Sequence, residues 1–167
     1  MMWLSLLLSM AAFADGSLPT LAPSGQEQAL QPVSCTDPVA GVWKGSENGS
    51  RSQYHYTVTV SRTGQALSGT IEVHHWHGNS ATPPPCVPAS GGTEVFVTQP
   101  AIGTWDGHNF DFQATRIGHL NRTCGAPRGY TPDHIWGPMV TESVVSAISD
   151  DGKNGAESVR LVRVSCG

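Results

Sequence analysis

The chain has 167 residues, of which 13% are charged, with 9 Lys and Arg against 13 Asp and Glu, a formal net charge of −4 and a pI near 5.9. Cations this few, with no basic run, argue against nucleic acid as a partner and against electrostatic attachment to an anionic membrane. Charge is sparse beside the roughly 25% of ordinary globular domains, and the length suits one domain with a substantial core.

Residues 1–14, MMWLSLLLSMAAFA, read as a secretory signal. Their apolar run is too short to span a bilayer and ends in the small-x-small pattern Ala12-Phe13-Ala14. No second long apolar run follows, so no transmembrane anchor is expected. Residues 15–34 are rich in Pro, Gly, Ser and Gln and read as a disordered leader. A single β domain is expected over 35–167.

Strand signals dominate that domain. The first strand is expected over Ala40–Gly45. From Tyr54 to Ser61 the residues alternate, with Tyr54, Tyr56, Val58 and Val60 on one face. After the turn Arg62-Thr63-Gly64-Gln65 the alternation resumes over 66–77, with Leu67, Gly69, Ile71 and Val73 sharing a face. Pairing Ser61 with Ala66 makes a hairpin in which apolar meets apolar and polar meets polar. Residues 78–92 carry Pro83-Pro84-Pro85 and Gly91-Gly92 and read as a loop. Residues 93–98 form a strand. Asp106-Gly107 is expected as the two-residue turn of a second hairpin, setting Trp105 opposite His108 and Gly103 opposite Phe110. Residues 125–139 hold Tyr130, His134 and Trp136 in a Pro/Gly-rich loop. Residues 141–148 and 157–165 form a last pair. About eight strands at this spacing predict an all-β antiparallel barrel or sandwich.

Cys35, Cys86, Cys124 and Cys166 all follow the signal, and none forms a CxxC pair. In an oxidising compartment they read as two disulfides, Cys35–Cys166 and Cys86–Cys124. The first would tie the start of the first strand to the end of the last, which are neighbours when a sheet closes on itself. The second would gather the two long loops at one end.

Candidate chemistry centres on Val73-His74-His75-Trp76-His77. Strand phase sends His75 and His77 inward and His74 and Trp76 outward. Two imidazoles at i and i+2 lie about 6–7 Å apart on one face and could hold Zn²⁺ or Cu²⁺. His108 is the expected third ligand, with His119 and His134 as alternatives. Trp76, Tyr130, His134 and Trp136 are the expected contacts for a small molecule or carbohydrate. The GxSxG, P-loop and GxGxxG patterns are absent, and oxidised cysteines offer no thiol nucleophile. Glu94 and Glu142 are the one carboxyl pair with glycosidase-like potential. These patterns do not indicate an enzyme. Asn48-Gly49-Ser50 and Asn121-Arg122-Thr123 match the glycosylation sequon.

Gly41-Val42-Trp43, together with the hairpin ending in Ala66-Leu67-Ser68-Gly69-Thr70, resembles the opening strands of lipocalins and avidins, the calycin group. The resemblance covers about residues 40–75. It implies a calycin-like barrel with Trp43 packed under the floor and a cavity for a small ligand. His75, His77, Gly78 and Cys86 are similar in order to copper–zinc superoxide dismutases, but residues 78–107 lack the further histidines of that family. Three functions follow: a secreted binding module, a metal-binding protein or metalloenzyme built on His75 and His77, and a structural surface or envelope protein.

Overall fold

The computed structural model describes residues 30–48, 52–78, 80–85, 94–124, 129–153 and 155–167. The expected signal and most of the expected leader lie outside them. Among the described residues there are nine strands and no helix: β1 Gly41–Asn48, β2 Ser52–Thr63, β3 Ala66–His77, β4 Glu94–Trp105, β5 Asn109–Ala114, β6 His119–Cys124, β7 His134–Thr141, β8 Val144–Asp150 and β9 Glu157–Cys166. Every pairing is antiparallel. The order β1-β2-β3-β4-β5-β7-β8-β9 returns to β1, so eight strands close a barrel. Closure leaves no sheet edge along the ring.

β6 stands outside the ring. It pairs with Glu94–Thr98 of β4, while β5 pairs with Ala101–Trp105 of the same strand. β4 thus shares one edge between two short partners.

The alternation read from the sequence fills the interior. Val58, Val60, Leu67, Ile71, Val73, Val97, Phe110, Phe112, Ile135, Val145, Ala147 and Leu161 form the core. Two hairpin registers differ from expectation. β2 and β3 pair Thr63 with Ala66 and Ser61 with Ser68, placing Val58 opposite Ile71. The loop is only Gly64-Gln65, and Gly64 at φ 64° suits the first position of a two-residue hairpin turn. The slip is two residues, so every side chain keeps its face. In the second hairpin Trp105 pairs with Phe110 and Gly103 with Phe112. Here Asp106 precedes the turn: its Oδ1 accepts from the backbone N–H of His108 (2.8 Å) and Asn109 (2.6 Å). Asp favours that first turn position because its carboxylate caps the following amides. His108 is thereby a turn residue, not a core one.

The expected loop over 125–139 is also corrected, because His134–Thr141 is strand β7. Pro and Gly there serve the sheet. A Cβ at Gly137 would lie 2.1 Å from the Ser146 carbonyl oxygen, so the close approach of β8 requires glycine.

One end of the barrel is closed by Trp43 and Arg163, both fully buried. The guanidinium lies 4.6 Å from the centre of the Trp43 ring. It donates to the carbonyls of Asp37 (2.6 Å), Pro38 and Glu142. The Trp43 indole donates to the Val39 carbonyl at 2.9 Å. A buried cation is tolerable only when most of its donors are met; here backbone from residues 37–40 and from the β7–β8 turn takes the two terminal nitrogens, while Nε is buried without a partner among the described residues. The Cys35–Cys166 disulfide forms beside this plug and joins points 131 residues apart. The expected Cys86–Cys124 bridge rests on side chains outside the described residues. No helix is long and apolar enough to cross a membrane among the described residues.

Replacing Arg163 with Met strips three backbone carbonyls of their donors and removes the cation from the Trp43 face. The variant is expected to lose about 2–4 kcal/mol of stability in urea denaturation, with the β-sheet circular dichroism signature retained. An unchanged midpoint would refute this role for the plug.

Candidate functional site at the polar end of the barrel

At the end away from Trp43 the inward positions turn polar. The same faces that carry core residues continue into Glu47 on β1, Tyr54 and Tyr56 on β2, His75 on β3 and Ser149 on β8. Register places Glu47 opposite Tyr54, and Tyr54 opposite His75. The Tyr56 hydroxyl lies 3.4 Å from Glu47 Oε2 and 3.2 Å from Ser149 Oγ. Tyr54 stacks on His75 with ring centres 4.2 Å apart.

A second group enters from the segment before β7. Gln99 is fully buried and Asp133 is 3% exposed. Gln99 donates its amide to Asp133 Oδ2, and its carbonyl oxygen accepts from the Asp133 backbone N–H at 3.0 Å. The Tyr130 hydroxyl lies 3.5 Å from Asp133 Oδ1. The position of Gln99 explains the bridge. β6 pairs no further than Thr98 and β5 no nearer than Ala101, so Gln99 has a strand partner only on the β3 side, at Ile71, and its carboxamide bridges to Asp133 near the gap between β5 and β6.

Burial sets the electrostatics. It pushes Glu47 up to about 7, with the negative charges of Glu157 and Asp133 adding to the effect and the Tyr56 hydrogen bond opposing it. Burial likewise raises Asp133 to about 6, against the hydrogen bonds from Gln99 and Tyr130. His75 is pushed down to about 4, first by burial and then by His77 and Arg122. Tyr54, Tyr56 and Tyr130 are all raised by burial and remain phenols. Near neutral pH the site therefore combines a neutral imidazole, three phenols and two carboxyls close to their titration points. His75 Nε2 is buried with no hydrogen-bond partner.

The sequence-expected residues divide between this end and elsewhere. His75 faces inward and is 9% exposed, and the His77 ring meets it edge-on at 5.2 Å, although His77 itself is exposed. His108 sits exposed in the β4–β5 turn, at the Trp43 end, so it does not join them. Among the described residues no group of three or more His, Cys, Asp or Glu is arranged to hold a metal ion. His119 is exposed at the start of β6. Tyr130 joins the interior cluster through Asp133.

Trp76 does point outward, but it is only 2% exposed. Its indole donates to the Ser80 carbonyl at 2.9 Å, and its ring stacks on His55 at 4.7 Å. Chain following β3 covers it, so it offers no free platform. Glu94 lies on the same outer face, bonded to His74 (2.9 Å) and Thr123 (2.6 Å). Glu142 lies in the β7–β8 turn with its carbonyl on Arg163. The two carboxyls are therefore at opposite ends of the barrel.

His134 and Trp136 project from the outer face of β7, their rings 4.4 Å apart, with His134 Nε2 3.1 Å from Asp111. A shallow groove of about 460 Å³ runs past His134, lined also by Gln113, Thr131, Asp150 and Asp151.

Comparison with known protein families, curated proteins and solved structures finds no match for this chain.

The raised carboxyls fix a pH dependence of stability. Folding lifts Glu47 from 4.5 to about 7 and Asp133 from 3.8 to about 6, so the folded state holds protons that the unfolded chain releases. Their contribution is complete below the unfolded values and is lost as pH rises through the folded ones. His75 works oppositely: its contribution is present above 6.5 and is lost as pH falls through about 4. Glu47→Gln removes one titration. The variant is expected to match the parent near about pH 5 and to melt a few degrees higher near about pH 8. Melting curves that stay parallel across that range would contradict the burial argument.

Proposed function

We propose that this chain is an exported small-ligand-binding β-barrel of calycin-like type, taking its ligand at the end lined by Glu47, Tyr54, Tyr56, His75, Tyr130 and Asp133. The observation that carries the reading is the contrast between the two ends. One is plugged by Trp43 and Arg163. At the other, inward polar groups collect, and His75, stacked on Tyr54, carries a buried imidazole nitrogen without a partner. Buried polar groups are ordinarily satisfied, and barrel mouths are a usual place for ligands. The calycin-like part of the reading rests on the resemblance of Gly41-Val42-Trp43, whose Trp43 is buried at the closed end. Export is supported by the Cys35–Cys166 disulfide, since such bonds persist in oxidising compartments.

The test is a fragment library of neutral, cationic and anionic small molecules, followed by NMR on the labelled protein. Bound fragments are expected to shift Tyr54, Tyr56, His75 and Tyr130 and to spare Trp105 and Arg163. Tyr54→Ala is expected to weaken them by about tenfold or more, the worth of one lost aromatic contact. Shifts confined to other surfaces would overturn the assignment.

The groove beside His134 favours a second reading, a saccharide site. It is lined by hydroxyl, amide and carboxylate groups, and the Trp136 ring adjoins it through His134, 4.4 Å away. Titration with neutral mono- and oligosaccharides is expected to shift the Trp136 indole resonance, and Trp136→Ala to abolish the response. A titration that leaves this resonance unmoved removes the reading.

A further inference from the structure

We infer that the polar end of the barrel accepts a small organic cation, an ammonium group carried on a compact apolar body. This rests on the reading of that end as a ligand site and names the chemistry it takes.

The first ground is the sign of the charges. The charged groups acting on Glu47, Asp133 and the three tyrosines are Glu47 and Asp133 themselves, Asp151 and Glu157, all carboxylates. The cationic or titratable nitrogens that bear on the site, His74, His77 and Arg122, act on His75 from the β3 and β6 side. Among the described residues no cation pairs with either carboxyl, Asp133 buried and Glu47 half-buried, an arrangement that costs free energy until a cation arrives.

The second ground is hydrogen-bonding capacity. An ammonium brings three donors and no acceptor. Among the described residues Glu47 has one long contact, to the Tyr56 hydroxyl at 3.4 Å, and Asp133 Oδ1 has one at 3.5 Å from Tyr130. Both oxygens therefore keep accepting capacity. Gln99 has already spent its amide on Asp133. His75 Nε2, buried and unpartnered, is a further acceptor in the tautomer protonated at Nδ1. An anion would find phenol hydroxyls but repelling carboxylates. A neutral alcohol would offer one donor and leave the charges uncompensated.

The third ground is aromatic. Tyr54 and Tyr56 have ring centres 6.4 Å apart and nearly parallel planes, and Tyr130 packs against the same core. Phenol faces attract an ammonium, more strongly where water is excluded. Their raised titration points keep them neutral and so keep that attraction available over the ordinary pH range.

The experiment uses three probes of one shape: benzylamine, benzyl alcohol and benzoate, titrated calorimetrically into the full chain. Benzylamine is expected to bind at least about tenfold more tightly than benzyl alcohol, and benzoate more weakly than both. Glu47→Gln and Asp133→Asn are each expected to weaken benzylamine about tenfold more than they weaken benzyl alcohol. Titrations in two buffers of different ionisation enthalpy add a readout that needs no variant. Benzylamine should release protons to the buffer, because it favours the ionised carboxyls, and benzyl alcohol should release none. Equal affinity for amine and alcohol at this end would overturn the cation inference and leave the ligand site standing. Tighter binding of benzoate, or amine binding without proton release and unaffected by both variants, would also overturn it. If no probe shifts the Tyr54 and His75 resonances, the site and the inference fall together.

Discussion

A guanidinium buried without a carboxylate partner organises this barrel. Arg163 is fully buried against Trp43, and burial pushes its titration point down. Among the described residues no carboxylate pairs with it directly, Asp37 and Glu142 acting only at longer range, so backbone carbonyls accept from its terminal nitrogens, and they come from two places. Residues 37–40 are drawn across the barrel end, and the β7–β8 turn is drawn in to meet them. Other contacts follow from that geometry. Arg163 exchanges backbone hydrogen bonds with Val33 and Ser143, and the Ser143 hydroxyl reaches the Val33 carbonyl. Asp37 caps the amides of Val39 and Ala40 and pairs with Arg62, which in turn lies over Trp105. The β1–β9 seam carries a register shift at Val42/Trp43, beside Arg163. A bulge at a closure point lets the wall bend while Trp43 stays inside.

With one end committed to this plug, the polar chemistry is displaced to the other. There the wall is built differently. β4 is longer than either of its partners on the side away from β3, and Gln99 falls between them. Its carboxamide takes over a bridging role that backbone plays elsewhere, which brings Asp133 and Tyr130 into the interior. A carboxyl held that way is desolvated but not neutralised by a cation. Glu47 and Ser149, joined through the Tyr56 hydroxyl, turn inward at the same end. The outcome is an acidic, phenol-rich interior at one end of an otherwise apolar barrel, and this asymmetry is the main functional clue in the molecule.

Much of this interior was legible as periodicity. Tyr54 and Tyr56 share a face with Val58 and Val60, and His75 shares one with Ile71 and Val73; the barrel keeps both. Glu47, Gln99 and Ser149 carry the same signal, in phase with Trp43, Val97 and Ala147 respectively, although a search guided by histidines passes over them. Asp133 carries no such signal. It lies outside any strand, and its burial comes from a bridge to a residue 34 positions away. Trp76 shows the limit of phase arguments. Alternation assigned its face correctly, but cover by a later loop, a matter of tertiary packing, decided its exposure. His108 shows the limit of motif arguments, since Asp-Gly marked the turn but the capping carboxylate of Asp106 moved it one residue on.

The sequence by itself determined the class of structure: strand faces follow from a two-residue period, and a pair of cysteines flanking the strand array marks where the ring can close. Which ends of those strands meet, and hence which polar groups become neighbours, was decided only by the tertiary structure. The physical reason is that a local period fixes the side on which a residue lies but not its height along a closed wall. That height depends on turns, on a bulge, and on a buried cation gathering distant carbonyls around Trp43.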